Sequence, residues 1–160
     1  MEKEEEIKIL NLMVENEESI GRLYSEYAEK FSQHSEFWNH IFKEELIHAQ
    51  WIKALYGKVD SGKVVFNKNH FPSDIVEKTL SFIKQKIEET KKDELPLMTA
   101  LNIALKIEKG MIENNYFGVF NTDTGRFKKV LDDLAQGTRD HIRDIESKKM
   151  EVETYLNVAK

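Results

Sequence analysis

Cysteine is absent from the 160 residues, proline occurs twice and glycine seven times. Without cysteine there are no disulfides, thiolate zinc sites, iron–sulfur clusters or cysteine nucleophiles. So little proline and glycine argues against a turn-rich β fold and for long helices. No apolar run approaches the roughly 20 residues of a membrane-crossing helix. No basic stripe or aromatic-and-basic cluster of the kind that tracks nucleic acid is present either. The N-terminal MEKEEEIKIL lacks the basic start and apolar centre of a signal peptide. These absences set the expectation of a cytoplasmic protein with no membrane and no nucleic-acid partner. What is there is charge of both signs, interleaved. Charged residues make up 33% of the chain and hydrophobic residues 40%, with a formal net charge of −5. This length suits one domain, residues 1–160, with a sizeable core.

Apolar residues recur at steps of three and four in four long segments and one shorter one. The first segment, about Glu4 to Gln33, carries Leu10, Met13, Glu17, Ile20, Tyr24, Tyr27 and Phe31. The second, about Ser35 to Tyr56, carries Trp38, Ile41, Glu45, His48, Ile52 and Leu55. GKVDSGKVVFNKNHFPS then breaks the pattern with Gly57, Gly62 and Pro72, and its VVF reads as extended. Ser73 is the expected N-cap of the shorter helix, which runs to about Lys91 on Val76, Leu80, Ile83 and Ile87. The third long helix is expected to start near Pro96, a favoured first-turn residue. Its stripe is Leu97, Leu101, Ala104, Glu108, Met111, then Asn115 or Tyr116. NTDTG (121–125) makes the next turn, and the fourth helix spans about Arg126 to Leu156. Its stripe is Phe127, Val130 or Leu131, Leu134, Thr138, His141 and Ile145.

Such helices predict an all-α four-helix bundle. The shorter helix sets its connectivity. About 19 residues at 1.5 Å each span roughly 28 Å, enough to return the chain along the length of the bundle. Helices two and three are then parallel, with antiparallel hairpins on either side of this crossover.

Each long helix has a polar interruption on its apolar stripe, near its middle: Glu17, then Glu45 and His48, then Glu108, then Thr138 and His141. A buried, unpaired carboxylate costs several kcal/mol, so something must compensate these acids. Three acids and two histidines at one level compensate one another through a metal, and carboxylate and imidazole suit iron, manganese or zinc. Glu45 and His48, three residues apart, share a helix face. Counting through the turns supports a common level. Glu108 lies 14 residues before Thr122, while Thr138 and His141 lie 16 and 19 after it. Glu17 lies 17 before His34, while Glu45 and His48 lie 11 and 14 after it. Both mismatches are about one to two turns. Tyr24, Tyr27, Met13, Met98 and Met111 read as core packing, and EKEEE as a solvated helix start favoured by the dipole.

The segments ENEESIGRLYSEYAEKF, FKEELIHAQW, ALKIEKGMIENNYF and LAQGTRDHIRDIE resemble, in order, the ferritin-like superfamily, and most the rubrerythrin-type branch. The family pattern is Glu, Glu-x-x-His, Glu, Glu-x-x-His. The resemblance implies a ferritin-like bundle with a terminal ligand at Glu17, a bridging ligand at Glu45 and His48 beside it at the first metal. Glu108 and His141 would belong to the second. It also implies non-haem iron, peroxide or dioxygen as oxidant, an external electron donor and a homodimer. The chain departs from the pattern at Thr138, where a bridging Glu is expected, and Gly137 beside it reads as room for a larger side chain. Glu113 lies off the Glu108 face, and Asp144 is a turn beyond His141. The rubredoxin-like cysteine module is absent. The rival expectation is therefore a degenerate bundle with a mononuclear site, or none, acting as a binding or structural dimer.

Overall fold

The computed structural model describes residues 2–62, 65–66, 73–114, 116–121 and 125–158. They are almost entirely helical: α1 (Glu2–Lys30), α2 (Ser35–Ala54), α3 (Tyr56–Asp60), α4 (Ser73–Lys92), α5 (Leu97–Glu113) and α6 (Gly125–Val158). The expected extension is real but short. β1 (Val65–Phe66) pairs antiparallel with β2 (Phe120–Asn121), with Phe66 opposite Phe120. The expectations placed on Pro72, Asn115, Thr122 and the side chain of Phe127 lie outside the described residues.

Several boundaries differ from those read in the sequence. α1 stops at Lys30 rather than Gln33, because Phe31 leaves helical geometry (φ −106°, ψ 71°) and one 3-10 turn, Ser32–His34, leads into α2. α2 ends at Ala54 and restarts as the single turn α3. Gly62 (φ 69°) follows, in the left-handed region that glycine enters without strain. Pro96 lies outside α5, extended at ψ 140°, so Leu97 is the first helical residue. Ser73, the expected cap of α4, is its first residue.

The stripes face one core. Leu10, Met13, Ile20, Tyr24 and Tyr27 of α1 meet Trp38, Ile41 and Ile52 of α2, Leu101, Ala104 and Met111 of α5, and Leu134 and Ile145 of α6. Each fully buried large side chain of this kind contributes about 1.5–3 kcal/mol. Trp38 closes one end, edge-on to Tyr27 at 4.8 Å and tilted to Tyr24 at 5.6 Å. Surface pairs fix directions. Lys53 with Glu18 and Tyr56 with Asn11 join α1 antiparallel to α2 and the turn after it. Lys84 meets Glu15 at 2.5 Å, Lys91 meets Glu26 at 3.9 Å, and Lys30 donates to the Asp93 carbonyl at 2.6 Å. Numbers rise together along both helices, so α4 runs parallel to α1 and carries the chain back along it. The β1–β2 pair ties the connection before α4 to the one before α6. Among the described residues no helix is long and apolar enough to cross a membrane.

Candidate metal centre

The five residues picked out by the stripes converge. Glu17, Glu45, Glu108 and His141 are fully buried and His48 is 4% exposed. Glu45 stands between the histidines, Oε1 2.8 Å from His141 Nδ1 and Oε2 3.4 Å from His48 Nδ1. Glu17 approaches His48 Nδ1 at 3.7 Å, and Glu108 approaches His141 Nδ1 at 3.5 Å. The two imidazoles stack, centroids 5.3 Å apart. Tyr24 donates a 2.6 Å hydrogen bond to Glu108 Oε1 and so orients that carboxylate. The arrangement follows from helical spacing. Residues 45 and 48 share a face of α2, and Glu17, Glu108 and His141 lie on the buried faces of α1, α5 and α6.

These atoms are close but not aligned as hydrogen bonds. Both oxygens of Glu17 and of Glu45, Oε2 of Glu108, and Nδ1 of His48 and His141 are buried without a hydrogen-bond partner. Native proteins rarely leave so many polar atoms unsatisfied in one place. A cation placed among these oxygens and ring nitrogens would satisfy them. The donor set of carboxylate oxygens and imidazole nitrogens fits iron, manganese or zinc. The tightest subset is Glu45, His48 and His141, whose offered atoms all lie within 4.8 Å of one another.

Electrostatics agree with a site that seeks positive charge. Burial first, then the charge of Glu45, raises the Glu17 carboxyl to about 8. Burial alone would depress both imidazoles. The carboxylates of Glu17 and Glu45 outweigh it and raise His48 to about 10, while Glu108 and Glu45 raise His141 to about 12. Each group thus holds its proton more tightly folded than unfolded, so the metal-free protein loses stability as pH rises. The Glu17 share is lost between 4.5 and about 8, the His48 share between 6.5 and about 10, and the His141 share between 6.5 and about 12. The unfolding midpoint of chelator-treated protein should therefore fall steadily from about pH 6 to about pH 9. A midpoint that climbs across that range would contradict this charge distribution.

The fourth helix behaves as its sequence departs. Thr138 is buried, but its hydroxyl bonds back to the Leu134 carbonyl at 3.3 Å and supplies nothing to the centre. Asp144 pairs with Arg143 at 3.2 Å on the surface, and Glu113 is exposed at the end of α5. The space read beside Gly137 is already taken, because the His48 ring lies against it. Two participants were not read from the sequence: Tyr24, expected only to pack the core, and Glu44. Glu44 accepts or shares a proton with His141 Nε2 at 2.7 Å, and its other oxygen lies 3.4 Å from the exposed His40. Partners of this kind fix the tautomer and orientation of a ligating ring. Glu44 sits one residue off the apolar stripe, so periodicity carries no sign of it. Comparison with protein-family models, with curated proteins and with solved structures finds no match.

Proposed function

We propose that this chain is a rubrerythrin-like metal-binding protein, with the ferritin-like arrangement of four long helices and α4 as the crossover. Its ligand is non-haem iron, held by Glu17, Glu45, His48, Glu108 and His141. The observation that carries the proposal is Glu45, which turns one oxygen to each of two buried histidines, with a second carboxylate beside each ring. When bound, a pair of irons would supply two electrons for reducing peroxide or dioxygen. The chain's own part is to hold and exclude. Glu17 and His48 would serve one side, Glu108 and His141 the other, and Glu45 both. Tyr24 and Glu44 orient Glu108 and His141 respectively, and the buried core around them keeps bulk water out. The external electron donor, the homodimer and the cytoplasmic setting belong to the same proposal.

A second reading has its own support. Thr138 offers no carboxylate, and the compact Glu45–His48–His141 subset suits a single ion. In this reading the chain is a mononuclear, non-catalytic binding protein.

Anaerobic titration with ferrous iron separates them. Free iron at 100 times its Kd should stabilise the protein by about 2.7 kcal/mol. For a domain of this size that raises the unfolding midpoint by roughly 5–10 °C. Peroxide consumption with a chemical reductant then tests the redox step. Uptake of iron without peroxide consumption supports the single-ion reading, and no shift of the midpoint removes both.

A further inference from the structure

We infer that Gly137 is a positioning residue for His48, its missing side chain leaving the place in which the ring stands at the edge of a surface groove. The inference rests on the metal-binding reading above. The groove, about 490 Å³, opens between α2 and α6 and is lined by Glu44, Trp51, Asp140 and Asp144, with His48 and Gly137 also bordering it. Among the five proposed ligands His48 alone borders it. The ring therefore stands between solvent and the four carboxylate and imidazole groups behind it. Arg143 also lines the groove and pairs with Asp140 at 3.1 Å and Asp144 at 3.2 Å.

A Cβ on residue 137 would lie 2.5 Å from His48 Nε2 and 2.8 Å from Cε1. A side-chain carbon does not approach a non-bonded atom so closely, so the ring would have to move. It has little freedom to do so. The Trp51 ring lies 5.6 Å away, the His141 ring is stacked at 5.3 Å, and the Nδ1 edge faces Glu45 at 3.4 Å and Glu17 at 3.7 Å. A side chain at 137 would displace Nδ1 from its place among the carboxylates. The backbone gives no other reason for this glycine. It sits in the regular helix α6 without a positive φ, where glycine is the poorest helix former after proline. Gly110 in α5 is the contrast, since a Cβ there meets nothing within 4 Å.

A double-mutant cycle with cobalt(II) as the probe tests the inference. Gly137→Ala should lower cobalt affinity about tenfold or more, within the range seen when a ligand's support is removed. It should also change the visible absorption of the bound ion, which reports the ligand set. In the His48→Ala background the same change should alter affinity by less than about twofold, because the ring it acts through is gone. Gly110→Ala, the control, should leave affinity unchanged. Equal losses in both backgrounds, or no loss in the wild-type background, overturn the inference. Failure of the metal reading is distinguishable. If the wild type takes up no cobalt, the inference is read on metal-free protein by the NMR resonance of the His48 Cε1 proton. Its ring neighbours Trp51 and His141 make that resonance sensitive to position. It should shift in Gly137→Ala and not in Gly110→Ala, and an unmoved resonance overturns the inference.

Discussion

Glu45→Gln is expected to abolish tight metal binding, with cobalt or ferrous affinity falling about a thousandfold, or roughly 4 kcal/mol. Among the described residues Glu45 is the one carboxylate that approaches both histidines, at 2.8 Å and 3.4 Å. Glu17 and Glu108 each approach only one ring. The amide keeps the volume and the helix but removes the charge and makes one of the two oxygens a nitrogen donor. It would leave two half-sites with no shared ligand. Glu45→Ala is the harsher variant, since removing one partner of a buried ion pair costs about 3–5 kcal/mol of stability. Circular dichroism of the Gln variant confirms that the helices persist before affinity is compared. Glu113→Gln, an exposed residue at the end of α5, serves as the control and should bind as the wild type does. Undiminished affinity in Glu45→Gln would place the metal elsewhere.

Thr138→Glu should move stability and capacity in opposite directions. Wild-type protein should bind fewer than two irons tightly, or two with clearly different affinities, because Thr138 turns its hydroxyl onto its own helix. Position 138 is buried and lies one turn before His141 on the same face. A carboxylate there joins three others in a volume with little space, since the His48 ring already occupies the clearance at Gly137. In metal-free protein the added buried acid should cost about 2–4 kcal/mol. That lowers the unfolding midpoint by roughly 5–15 °C in a domain of this size. With iron present the same carboxylate offsets a second cation, and calorimetry should resolve a second tight site. Two equally tight sites in the wild type would show that the missing ligand is supplied by another group. A destabilised variant with unchanged capacity would show that residue 138 does not reach the centre.

The helical stripes were legible because burial imposes a period of 3.6 on any helix against a core. Every stripe residue from Leu10 to Tyr27 and from Trp38 to Leu55 is buried. The five acids and histidines were legible for the same reason, as charges where the period demands apolar side chains. Contacts made across helices left no such trace. Glu44 looks like any surface glutamate until α6 brings His141 to it. Gly137 announced itself as a glycine inside a helix, but only packing shows that His48 fills the space. The two-residue strands are too short to have a period at all. Helix ends drifted where one residue's torsions decide, as at Phe31 and Pro96.

The most direct test is anomalous X-ray scattering from crystals of metal-free protein soaked in cobalt(II). A peak is expected among the Glu45, His48 and His141 side chains, within ligand distance of Glu45 Oε1 or Oε2 and of an imidazole nitrogen. Density confined to surface carboxylates such as Asp133 or Asp140, with the buried groups unmoved, would contradict the assignment of this cluster as a metal centre.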